Sequence, residues 1–124
     1  MQFLVSLFLL LGITQSDNTL DQIGSSLEAG SAKELIKFCN ATVELKMDGE
    51  SANYSKSQAE VILRNFFQKY PPVTFEYIHQ GSSPEGLKYT IGHYTHDSGK
   101  YRIVMFIKKT GNTYLIDTIN FSQE

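Results

Sequence analysis

Tryptophan is missing from this 124-residue sequence, and cysteine occurs once. The lone Cys39 cannot form an internal disulfide, so the fold must be held by packing alone. Set in a helical pattern, it reads as a small buried hydrophobe rather than a reactive thiol. Basic clusters are missing too. Eleven Lys and Arg against thirteen Asp and Glu leave a net charge of −2, and the basic residues stand singly, which argues against the stripe that nucleic-acid binding requires. No nucleophile elbow, phosphate-cradling loop, metal-ligand cluster or haem motif is present, so no metal and no cofactor is expected. Internal repeats, low-complexity tracts and linkers are absent as well. The length suits one domain that buries about two thirds of its unfolded surface.

Charge is absent from Met1 to Ser16, where Phe3 to Ile13 forms a short apolar run. The run is shorter than the roughly 20 residues that span a bilayer, and Thr14-Gln15-Ser16 offers small residues for cleavage. An uncleaved buried helix is the plainer alternative. With no cysteine next to the run, a lipid anchor is not available. The expectation is a signal peptide at 1–16 and one domain at 17–124, exported to the periplasm or the medium and free of the membrane after cleavage.

What is present is strongly patterned. Asp17 to Ala29 sets Leu20, Ile23 and Leu27 on one helical face, and Gly30 is placed to end it. Ser31 and Glu34 form a capping-box signature ahead of Leu35, Ile36, Phe38 and Cys39. Thr42 to Met47 alternates as a short strand that ends at Asp48-Gly49, and 51–55 is expected to be a polar connection. Ser55 and Gln58 repeat the capping box before the longest helix, Lys56 to Tyr70. Its stripe is Ala59, Ile62, Leu63, Phe66 and Tyr70, with Val61 and Phe67 at the margins. Pro71-Pro72 stops it.

The last third organises the fold. Val73 to Gln80, Leu87 to His96, Tyr101 to Lys109 and Thr113 to Phe121 are rich in Val, Ile, Thr, Tyr and Phe, and glycine-bearing turns separate them. They form an antiparallel meander. If Thr95 opposes Tyr101 and Lys109 opposes Thr113, odd positions meet odd positions throughout. The odd face then carries Val73, Phe75, Tyr77, Leu87, Tyr89, Ile91, Ile103, Met105, Ile107, Leu115, Ile119 and Phe121 as the core. The even face carries Ile78, Tyr94, Val104, Phe106, Tyr114 and Ile116, an apolar patch that a solvated face would not need; it is expected to form a homodimer.

Helices followed by a meander make an α+β class. The order resembles the nuclear transport factor 2-like (cystatin-like) superfamily, cone-shaped α+β domains with N-terminal helices packed on a curved antiparallel sheet. Here that implies a four-strand meander plus one short extra strand. More narrowly, the stretches Leu27 to Leu35, Tyr54 to Glu60 and Ile78 to Ser82 resemble a family of exported bacterial proteins known as domain of unknown function 4783. That resemblance implies fold and export and carries over no catalytic residue. The wider superfamily holds isomerase-like and cyclase-like enzymes beside non-catalytic members, and its convex face often mediates dimerisation.

A cone of this kind can hold a pocket between its core face and the long helix. Tyr77, Tyr89, His93, Met105 and Asp117 are the candidates to line it. Asp117, flanked on its face by Leu115 and Ile119, would be the acid-base residue of an isomerase-like or cyclase-like enzyme, with Tyr89 or Tyr77 donating hydrogen bonds. The plainer reading is a strand carboxylate at the cone mouth and tyrosines used for packing. On the expected register the histidines stand too far apart for one metal ion. The leading reading is an exported, non-catalytic module that binds a small molecule or an extracytoplasmic protein.

Overall fold

A computed structural model of the protein describes residues 18–124; the expected signal peptide at 1–16 lies outside the described residues. Helix α1 spans Thr19–Ala29 and buries Ile23 and Leu27. Gly30, at φ 64, ends it in the left-handed conformation that glycine adopts without strain, and its N–H donates to the Leu27 carbonyl. A short helix α2 follows at Ala32–Leu35, with Ser31 Oγ accepting from the Glu34 N–H at 3.1 Å. A single tighter turn, Ile36–Phe38, leads into the sheet.

Strands β1 (Cys39–Met47) and β2 (Glu50–Ser55) form a hairpin around Asp48-Gly49. Helix α3 covers Lys56–Lys69, and its capping box is complete: Ser55 accepts from the Gln58 N–H, and the Gln58 side chain accepts from the Ser55 N–H. Strands β3 (Pro72–Ser82), β4 (Leu87–His96), β5 (Gly99–Thr110) and β6 (Thr113–Gln123) complete the chain. The class is α+β, as expected. The sheet has six strands in the order β2-β1-β6-β5-β4-β3, and β1 runs parallel to β6.

Three expectations about the sheet are corrected. The meander has two further strands beside it, not one short one. Segment 51–55, expected to be a connection, lies in β2, and β1 begins at Cys39 rather than Thr42. Residues of β2 are exposed on nearly every position, so its strand state comes from the Asp48-Gly49 turn and from pairing, and leaves no apolar alternation to read.

The second correction is a one-residue slip between β4 and β5. Tyr94 opposes Tyr101 and His96 opposes Gly99, closing a loop of two residues, Asp97-Ser98. The His96 ring tightens this turn by accepting from the Ser98 N–H at 3.3 Å through Nδ1. Slipping by one residue turns every side chain of β4 over. Tyr94 and Thr90 are therefore buried in the core, while Tyr89, Ile91 and His93 stand on the outer face, away from the helices.

The third is a bulge in β6. Ile107 opposes Ile116 and Phe106 opposes Thr118, leaving Asp117 as the extra residue. The bulge lets Ile116 and Ile119 both point inward, where each is fully buried. Of the expected core, Phe75, Ile103, Met105, Ile107, Ile119 and Phe121 are buried. Val73, beside another irregularity in β3, is 54% exposed.

Helices α1 and α3 cover the inner face. Phe66 of α3 meets the rings of Phe67, Tyr70, Tyr94, Tyr101 and Phe121 at centroid separations of 4.6–5.8 Å, an aromatic cluster that packs the C-terminal end of α3 against the adjoining parts of β4, β5 and β6. At the other end, Gly24 of α1 lies against the Tyr77 ring.

Candidate functional site

The five expected pocket residues divide between the two sides of the sheet. Met105 is fully buried beneath the helices. Tyr77 is on the same side, and its hydroxyl donates to the Leu20 carbonyl at 2.7 Å. Burial, then the nearby charge of Asp21, hold that hydroxyl protonated well above the ordinary tyrosine range. Tyr77 thus ties α1 to the sheet and leaves its proton there.

The other three face outward. Tyr89 Oη lies 2.9 Å from His79 Nε2. His93 Nδ1 lies 3.0 Å from Glu124 Oε1, and the same carboxylate lies 3.3 Å from Arg102 Nε. Asp117 receives the Asn40 amide at 3.5 Å and stands 3.6 Å from Lys108 Nζ. It lines a polar surface hollow of about 380 Å³ with Asn40, Thr42, Glu44, Asn53 and Thr118. Glu44 is held there by Ser51 and by Thr118 at 3.4 Å. The apolar setting expected for Asp117 is not formed, because the bulge turns Asp117 outward beside Asn40 and Lys108 and leaves Ile119 on the inner side. Among the described residues no three His, Cys, Asp or Glu side chains come together as metal ligands would.

Cys39 is buried. Burial pushes its thiol up to about 12, a shift that the Lys56 charge only partly offsets. Native protein is expected to resist iodoacetamide at pH 8 and to react once unfolded in urea, as read by mass. Rapid native labelling would show that the site opens. The sign follows for stability. Below pH about 9 the thiol is protonated folded and unfolded; between about 9 and 12 only the unfolded thiol ionises, so this contribution is lost as pH rises.

The expected dimer face is redistributed by the same slip and bulge. Tyr94 and Ile116 are fully buried in the core. Tyr114 lies half-buried on the helix side, with Lys88 Nζ 4.0 Å from its ring centre. Ile78 is 48% exposed at a β3 irregularity. Val104 and Phe106 do stand on the outer face, and Phe106 is 39% exposed. Their cross-strand partners are Ile91 and Tyr89, which the odd-face assignment had placed in the core. A two-residue reading of the Asp97-Ser98 turn would have found both. The outer face is therefore apolar at its centre, with Tyr89, Ile91, Val104 and Phe106 in two adjacent rows. Leu87 and Leu115 flank it across Lys108. Two ion pairs stand beside it, Lys108 with Asp117 and Arg102 with Glu124, and the His93 ring lies against the same Glu124 carboxylate.

The family profile described as domain of unknown function DUF4783 matches residues 20–122. A DUF4783 family protein from Bacteroides ovatus ATCC 8483 is 31% identical in its crystal structure; the match covers 83% of this chain and 93% of that one, with a TM-score of 0.80. At 9% identity, a domain of unknown function with a cystatin-like fold from Nostoc punctiforme PCC 73102 gives a TM-score of 0.66 over 85% of this chain and 72% of its own. A variant named Rd1NTF2_05, 10% identical, gives 0.64 over 82% and 91%. These two likenesses concern the fold alone. No curated protein matches the chain.

Proposed function

This chain belongs to the DUF4783 family, and on that premise we propose that it is an exported, non-catalytic binding module that acts as a homodimer stacked through its outer sheet face. One observation carries the proposal: the centre of the outer face is apolar, and the charges nearest to it, Lys108 with Asp117 and Arg102 with Glu124, form ion pairs within the chain. A face with net charge would repel its own copy. The charges nearest this apolar centre can meet a copy as neutral pairs.

The size also fits. Six strands about 4.8 Å apart span about 24 Å, and the 12 residues of β5 about 37 Å, so the face offers on the order of 900 Å². Stable pairs bury about 800 Å² per partner. Two supports favour binding over catalysis. The space an isomerase-like or cyclase-like site would occupy, between the helices and the middle of the sheet, is filled by Leu63, Ile103, Met105 and Ile119, each fully buried. Asp117, its expected base, is on the outer face beside Lys108. Export rests on the apolar run at 3–13.

Sedimentation equilibrium tests the dimer. The protein is expected at twice its monomer mass, and Val104→Glu with Phe106→Glu at the monomer mass with an unchanged circular dichroism spectrum. Four carboxylates buried without partners would cost several kcal/mol, weakening association at least 100-fold. A monomeric parent, or a folded double variant that keeps the dimer mass, would overturn the reading.

A further inference from the structure

We infer that the hollow at the C-terminal end of α3, on the helix side of the sheet, is a binding site for a small aromatic amine. The hollow is about 250 Å³ and lies between the last turns of α3, the β1–β2 turn and the adjoining ends of β5 and β6. Its floor is Phe66, Tyr101 and Phe121, which are 7%, 2% and 1% exposed. Their rings are packed on one another, with Phe66 centred 5.0 Å from Tyr101 and 4.6 Å from Phe121. A floor of rings already fixed by the core asks little ordering of an incoming ligand. The volume sets the size of the occupant. Sites for drug-sized molecules begin near 300 Å³, so this hollow takes one ring with a short substituent.

Charge decides which substituent. Asp48 stands on one bank, in the left-handed part of a tight turn at φ 52. Its field reaches the floor: burial, a hydrogen bond with Tyr70 and the Asp48 charge together hold the Tyr101 hydroxyl protonated above its ordinary range. On the other bank, Lys69 places Nζ 5.4 Å from the centre of the Tyr70 ring. An ammonium of the chain itself therefore already sits on an aromatic face of the rim, where cation–π attraction draws it. It acts as a tethered stand-in for the ammonium of a ligand. An anionic ligand would meet the Asp48 carboxylate and the negative faces of the rings.

The test is a titration of the protein with 2-phenylethylamine, 2-phenylethanol and 3-phenylpropanoate, followed by NMR of the backbone amides and tyrosine rings. The amine is expected to bind in about the millimolar range, to move Asp48, Lys69, Tyr70 and Tyr101, and to bind about threefold tighter than the alcohol. The acid is expected to bind most weakly. Asp48→Asn keeps a residue that tolerates the left-handed turn; it is expected to weaken the amine about threefold and leave the alcohol unchanged. Lys69→Met, which removes the stand-in, is expected to strengthen the amine. The Val104→Glu, Phe106→Glu protein should bind as the parent does, because the hollow is on the opposite side of the sheet. Tightest binding of the acid, equal binding of all three probes, weaker amine binding by Lys69→Met, or shifts confined to other regions would overturn the assignment. So would no binding at tens of millimolar.

Discussion

Phe66→Ala is expected to lower the unfolding free energy by about 4 kcal/mol, read from the urea midpoint at constant slope. Phe66 is the ring through which α3 reaches across to β4, β5 and β6. Its contacts with Tyr94, Tyr101 and Phe121 are with side chains that are themselves 0%, 2% and 1% exposed. Removing it leaves a cavity walled by rings that cannot collapse inward without leaving their own packing, which places the cost near the top of the range for Phe to Ala. The same truncation on the other side of the helix supplies the contrast. Val61 is 47% exposed, and Val61→Ala should change stability by no more than about 0.5 kcal/mol. A loss below about 1.5 kcal/mol for Phe66→Ala would mean that the cluster does not hold α3 to the sheet.

Gly92→Ala comes next in size, at about 2 kcal/mol. A methyl group there would stand 2.5 and 2.6 Å from two ring carbons of Phe75 and 3.0 Å from the Glu76 carbonyl oxygen. The ring is buried and the carbonyl is backbone, so neither gives way cheaply. Phe75→Leu should relieve part of the clash. The double variant should then be at least about 1 kcal/mol more stable than the summed single effects require, whereas strict additivity would place the clash elsewhere. This substitution also reports which way β4 faces. If Thr95 opposed Tyr101, residue 92 would point to solvent, and alanine would cost almost nothing.

That contrast shows what can be read from this chain and what cannot. Helix α3 was legible because its stripe, its Ser55–Gln58 capping box and the Pro71-Pro72 stop all agree. The four meander strands were legible from composition and from glycine in the turns. The facing of β4 was not, because both of its sides are half apolar: Tyr89 and Ile91 on one, Tyr94 beside Thr90 and His96 on the other. Amphipathicity casts no clear vote there, and the decision passes to the length of the turn Asp97-Ser98, where one residue more or less reverses the strand. The bulge at Asp117 is hidden for a related reason. It exists so that Ile116 and Ile119 can both point inward, a demand of the packed helices that no local pattern announces. Val104 and Phe106 were placed on the outer face because β5 alternates without ambiguity. Their partners Tyr89 and Ile91 were missed with β4.

The strand order β2-β1-β6-β5-β4-β3 sets the final strand in sequence between β1 and β5. During synthesis the β1–β2 hairpin and the β3–β4–β5 meander are made first, each with an open edge where β6 will go. Neither part can complete the sheet alone, since the β1–β6 pairing, from Cys39–Ile116 to Met47–Phe121, joins distant parts of the sequence and waits for β6. Loop-closure entropy for so distant a join is met only when β6 has left the ribosome, so the sheet stays unclosed until then. A polypeptide held open in this way acquires its resistance to unfolding only once its sixth strand has joined the two parts.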